Sequence, residues 1–334
     1  MPYCLKRALS SAAVCFLVIG HCQGQENAPD EAGFPQEITE VRIESSIDQT
    51  LQPSLAYFPP PSETRGKNIP LLVGLHSWSG DYRQAANIPM AEWCVAHDWA
   101  FIHPNFRGPN WTPDACGSDK AVQDVLDAVS FMKEQGSIDL SRIYLMGTSG
   151  GGHMSLLVAG RHPTIWAGVS AWVPITDLSA WFYECRASGR RYAADLMKAI
   201  GSPPFTSIQS QRDYQHRSPL TWLNRAQSLA IDINAGIRDG HDGSVPISHS
   251  LMAFNRLVPQ SDQIQEMDIL ELTGMGQIPE ALSDSSLTDS LYGETPPLFR
   301  KVSGKIRVTI FDGGHEGILT AGLSWLAQQV KQQP

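Results

Sequence analysis

Six short apolar runs alternate with segments of helical periodicity, and this alternation limits the fold more than any other feature of the chain. The runs fall at residues 70–76, 99–103, 142–146, 167–173, 229–237 and 306–311. They are apolar on both faces, so they suit strands covered from both sides; such strands are parallel and joined by crossover helices. Residues 83–97, 118–134, 150–160, 245–257 and 318–329 read as those helices. In the second of them Val122, Val125, Ala128, Val129 and Met132 fall at helical spacing. Residues 37–48 and 51–58 alternate only in part and read as an antiparallel start. The rhythm breaks twice. Residues 174–228 are rich in aromatics and charges and read as a helical cap, and residues 258–304 form a second insertion, acidic and helical in part. The fold class is therefore α/β, a mostly parallel central sheet with helices on both faces, in a single domain over residues 37–334. Hydrophobic residues at 42% and charged residues at 18% suit a chain with a sizeable core.

The first 24 residues read as a secretory signal peptide. Lys6 and Arg7 precede an apolar stretch at residues 8–20, and Cys22-Gln23-Gly24 offers a cleavage site before Gln25. The stretch is short for a membrane span, so no span is expected after cleavage and the protein is expected to be secreted or periplasmic. Residues 25–36 read as a flexible lead-in. Cleavage leaves Cys94, Cys116 and Cys185 in an oxidising compartment. Cys94 lies in a helical pattern, whereas Cys116 and Cys185 fall in loop-like segments and are expected to form a disulfide. A net charge of −9 without a basic run argues against nucleic acid as a partner.

The chemistry centres on Gly147-Thr148-Ser149-Gly150-Gly151, which follows the apolar run at 142–146 and opens a helix. A G-x-S-x-G at a strand-to-helix turn is the nucleophile elbow of the α/β-hydrolase fold. The turn is tight, so the neighbours of the serine must lack bulk, and the hydroxyl is lifted clear of the sheet. A serine hydroxyl needs a base within hydrogen-bond reach, and in this fold the partners follow in the order Ser, Asp, His. His315 is the best placed of ten histidines, in the glycine-rich turn Asp312-Gly313-Gly314-His315-Glu316-Gly317. The acid is Asp239 or Asp242, both after the run at 229–237. Asp239 is favoured because it sits nearer the rigid strand end. Gly150 N–H and Trp78 N–H are the expected oxyanion donors, with Ser77 N–H as the alternative to Trp78. His241 has no H-e-x-x-H spacing around it, so no metal and no cofactor are expected.

With these residues in hand, the chain resembles the catalytic domain of the prolyl oligopeptidase family of serine hydrolases. The matching pieces run from about residue 70 to the end. They are the loop opened by His76, Ile138-Asp139-Leu140-Ser141-Arg142-Ile143, Arg217-Ser218-Pro219-Leu220, the segment from Gly236 to Val245-Pro246, and Gly314-His315. The resemblance implies Ser149, Asp239 or Asp242, and His315 as a triad, with Gly150 and Trp78 as oxyanion donors. Three departures stand out: Gly150 replaces a usually bulky residue, Ser77 and Trp78 replace usual glycines, and the acid segment carries extra residues. About 35 residues precede the sheet start, so the β-propeller of the larger family peptidases is not expected ahead of it.

Trp78, Trp111, Trp172, Trp181 and Phe182 fall near strand ends, where ligands bind in open α/β sheets. Trp111 and Trp181 are expected to pack on substrate, and Arg107 to hold a carboxylate. The expected activity is acyl transfer through Ser149. The reading leans to a carboxylesterase, including esters on decorated polysaccharides; the alternative is a serine peptidase acting on small peptides, and a remote one is an inactive binding protein.

Overall fold

The computed structural model describes residues 33–60 and 68–331. The expected leader and most of the lead-in lie outside the described residues. The strands are β1 (Thr39–Glu44), β2 (Leu51–Tyr57), β3 (Ile69–Leu75), β4 (Ala100–Pro104), β5 (Ile138–Thr148), β6 (Gly168–Trp172), β7 (Ala230–Gly236), β8 (Pro297–Ser303) and β9 (Ile306–Phe311). They form one sheet in the order β1-β2-β4-β3-β5-β6-β7-β9-β8. The six strands from β4 to β9 in that order run parallel, while β1, β2 and β8 are antiparallel at the edges.

Every residue of β3, β4, β6 and β7 is buried. That is the outcome expected of apolar runs covered on both faces. The covering helices are α1 (Ile88–Ala96), α2 (Asp119–Gln135), α3 (Gly150–Arg161), α4 (Leu178–Ala187), α5 (Tyr192–Ile200), α6 (Ile208–His216), α7 (Ser248–Leu257), α8 (Glu266–Met275) and α9 (Leu319–Leu326). Helix α2 buries Val122, Val125, Ala128, Val129 and Met132, and Ser118 caps it by accepting the Ala121 N–H. Such a cap contributes about 1 kcal/mol. Helices α4 to α6 build the cap between β6 and β7, with their own apolar cluster of Trp181, Phe182, Leu196 and Tyr214.

Several elements differ from expectation, among them α1, which starts at Ile88 rather than 83, and β5, which starts at Ile138 rather than 142. Strand β8 lies inside the second insertion, where Pro296-Pro297 and Arg300-Lys301 masked it. An edge strand tolerates Pro at its first position and charge along its length. Helix α7 starts at Ser248 rather than 245, and Val245 ahead of it donates its N–H to the carboxylate of Asp239. Among the described residues no helix is long and apolar enough to cross a membrane.

Candidate active site

The turn from β5 into α3 presents Ser149 with φ 61° and ψ −116°. A side chain at positive φ is strained, and such strain persists only where the surroundings enforce it. Here Ser149 N–H donates to Trp172 O at 2.8 Å, and Ser149 O accepts from His153 N–H at 2.8 Å. The glycines are required by space. A Cβ on Gly147 would fall within 3.0 Å of the Gly151 backbone, and one on Gly151 within 3.0 Å of Leu75 O.

Two loops at the same sheet edge complete the constellation. The β7 end approaches the β9–α9 loop so closely that a Cβ on Gly236 would strike the Gly313 and Gly314 backbone. His315 Nε2 lies 2.8 Å from Ser149 Oγ, and His315 Nδ1 lies 2.7 Å from Asp239 Oδ2. The other Asp239 oxygen accepts the N–H groups of Gly240 and Val245, each at 3.0 Å. Asp239 is buried, as only a fully hydrogen-bonded carboxylate can be without large cost. The carboxylate accepts from Nδ1–H, which leaves Nε2 free to take a proton from Ser149. Asp242 is exposed, and its N–H closes the turn onto Arg238 O. The extra residues of the acid segment wrap this turn around the carboxylate. Gly243 is packed so that a Cβ there would strike Asp239 Oδ1 and His315 Cβ.

Packing also decides which of the expected oxyanion donors is free. Ser77 N–H is taken by Gln84 Oε1 at 2.7 Å. Among the described residues, neither Trp78 N–H nor Gly150 N–H meets an acceptor. The two are neighbours, because a Cβ on Gly150 would lie within 3.0 Å of the Trp78 nitrogen and Cα. The two unusual features of this loop and elbow are thus complementary: the Trp78 backbone occupies the space that a side chain at position 150 would fill. Gly150→Ala is therefore expected to push the Trp78 N–H out of place and lower kcat by about 10²–10³, the usual cost of one lost oxyanion donor. Steady-state kinetics on a folded variant check this; an unchanged kcat would remove Trp78 from the hole.

Several expectations are corrected. Arg107 is not placed to bind substrate. Its side chain is 7% exposed, and it donates from Nε to Asp124 (2.6 Å), from Nη1 to Asp48 (2.8 Å) and from Nη2 to Ser45 Oγ (2.8 Å). This knot ties the β1–β2 turn to α2 and holds Arg107 itself at φ 77°. Trp181 is 1% exposed and offers no face to substrate. It packs on the Trp78 ring with centroids 4.7 Å apart and donates from Nε1 to Ser244 O at 2.8 Å, so it braces the oxyanion and acid loops together. Cys116 and Cys185 are free, as is Cys94. Cys185 lies on the buried face of α4 rather than in a loop, and Cys116 N–H is held by Asn110 Oδ1 at 2.8 Å. Each packs as a small apolar group, and burial pushes both thiols up to about 12. Trp111 is half-buried beside the cap. His241 is exposed and bonded to Thr273 O at 3.0 Å.

Three supports escaped sequence reasoning. Ser244 Oγ lies 3.3 Å from His315 Nε2, and Gln84 anchors the oxyanion loop. His249 on α7 is buried and accepts the Thr176 N–H on Nδ1 at 3.0 Å. Its Nε2–H therefore donates to Glu184 Oε2 on α4, 2.9 Å away, and latches the cap to the core. None of these residues belongs to a motif with a fixed spacing, so no sequence signal marks them.

A hydroxyl on a strained elbow, an imidazole tied to a buried carboxylate, and paired N–H groups, all at one edge of this sheet, define a serine hydrolase of the α/β-hydrolase type. Comparison with known proteins places it further. The chain belongs to the prolyl oligopeptidase family, whose sequence profile matches residues 92–274, more than half of its length. Acylamino-acid-releasing enzyme 2 of Oryza sativa subsp. japonica is 26% identical over 181 residues, which cover 49% of this chain and 22% of that protein. The uncharacterized peptidase YtmA of Bacillus subtilis (strain 168) is 26% identical over 151 residues, covering 45% and 54%. The chain thus spans about a fifth and about half of the lengths of these relatives. In fold, Pyrococcus horikoshii acylaminoacyl peptidase is similar with TM-score 0.54 at 18% identity, over 66% of this chain and 34% of that one. Oligopeptidase B from Leishmania major is similar with TM-score 0.56 at 13% identity, over 87% and 35%.

Proposed function

We propose that this protein is a serine peptidase that cleaves small peptides through an acyl-Ser149 intermediate. The observation that carries the reading is the continuous chain of hydrogen bonds from Asp239 through His315 to Ser149 beside two unpartnered N–H groups. Ser149 Oγ attacks the carbonyl carbon while its proton passes to His315 Nε2. The carbonyl oxygen, now negative, accepts from Gly150 and Trp78 N–H. The C–N bond breaks as His315 returns the proton to the leaving amine, and water repeats the sequence to release the acid. Peptide is preferred over the ester expected from sequence because the two relatives are named as an acylamino-acid-releasing enzyme and a peptidase.

The test is a panel of peptide anilides, p-nitrophenyl acetate and acetylated xylan. Peptide anilides are expected to give the highest kcat/KM. Turnover of acetylated xylan without turnover of any anilide would replace the peptidase reading with the esterase one.

A further inference from the structure

The turn between α4 and α5 carries two adjacent cations, Arg190 and Arg191, and reaches both loops of the catalytic site. Arg190 donates to His241 O on the acid loop at 3.5 Å. Arg191 donates from Nη2 to Ser79 Oγ at 2.7 Å, one residue beyond the oxyanion donor Trp78. Its guanidinium carbon lies 6.0 Å from the centre of the Trp111 ring and 5.8 Å from that of Tyr192. Arg191 is exposed, and among the described residues neither arginine forms an ion pair. Three carboxylates on the packed elements have other partners. Asp195 on α5 is buried beside Lys198 at 3.6 Å, Asp81 accepts the Arg83 N–H, and Glu184 serves His249. The surrounding cap is basic in an acidic chain: residues 174–228 hold seven Lys and Arg against four Asp and Glu, whereas the whole protein carries −9.

A guanidinium with most of its donors free, held in place by a hydroxyl and two rings, is built to take a carboxylate in a forked pair. The side of the substrate that meets it follows from the mechanism. The leaving group must depart beside His315, which protonates it, so the acyl portion extends the other way, along Trp78 and Ser79. Covalent geometry puts the Arg191 donor within roughly 9 Å of the Trp78 backbone, a span that two to three extended residues cover. We propose that Arg191 selects acyl groups bearing a carboxylate a few residues from the scissile carbonyl, such as a peptide with an acidic side chain or an N-succinyl cap. Arg190 and the basic cap steer such anions to the mouth. This inference rests on the peptidase reading.

The experiment compares one N-succinyl peptide anilide with its succinyl methyl ester, in the wild-type protein and in Arg191→Gln and Arg191→Lys. A charge-assisted pair predicts a preference for the free acid of about tenfold to a hundredfold in kcat/KM, expressed mainly in KM. The preference is expected to fall to near one in Arg191→Gln, to persist in part in Arg191→Lys, and to shrink with added salt. Thermal melting confirms that both variants fold. A wild-type ratio near one, or a ratio unchanged in Arg191→Gln, would overturn the carboxylate proposal and leave the peptidase reading intact. Failure of a fluorophosphonate probe to label Ser149 in the wild type would overturn both.

Discussion

Ser149→Ala is expected to abolish turnover, with kcat lower by about 10⁶ if the serine and its base act as a unit. The variant loses the nucleophile that lies 2.8 Å from His315 Nε2, yet keeps the Gly150 and Trp78 donors, so a small residual rate over water remains. The same position reports on strain. Ser149 sits at φ 61°, and alanine keeps the Cβ that makes this conformation costly, whereas glycine removes it. Ser149→Gly is thus expected to melt higher than Ser149→Ala, although both are inactive. Single-turnover kinetics and thermal melting on the pair check the two effects together. Activity in Ser149→Ala within tenfold of wild type would end the acyl-enzyme mechanism.

Asp239→Asn is expected to lower kcat by about 10⁴, and Asp242→Asn to change it less than twofold; the first figure is the typical cost of a wrong imidazole tautomer. The neighbours of Asp239 enforce that tautomer. Gly240 and Val245 both donate to Oδ1, so an asparagine must turn its carbonyl oxygen toward them and its amide toward His315. Nδ1 then has to accept, the ring proton moves to Nε2, and Nε2 can no longer take the proton of Ser149. Asp242 has no such contact, since its side chain is exposed. Comparing kcat of the two variants on one anilide checks the assignment. An equal loss in both would mean that the loop, rather than the carboxylate, is what matters.

The central strands were legible because they are buried on both faces, and a run such as Ile69–Leu75 fits best between two layers of helices. The elbow was legible for a related reason: glycines on both sides of Ser149 leave room for only one kind of turn. Edge strand β8 was not, because an edge needs neither alternation nor a continuous apolar run. Arg107 and Trp181 were misread because an arginine or tryptophan near a strand end looks the same in sequence whether it faces substrate or packs inside. Only the carboxylates of Asp48 and Asp124 around the first, and the Ser244 carbonyl at the edge of the second, make the difference.

Local chemistry, then, determined the central strands, the tight serine turn and the histidine turn, since each shows in residues adjacent in the chain. The tertiary structure set Asp239 rather than Asp242 against His315, left the N–H of Trp78 rather than that of Ser77 without an acceptor, and left the thiols apart. Those outcomes depend on which groups from distant segments compete for the same donor, acceptor or volume, and such competition exists only once the chain has closed on itself.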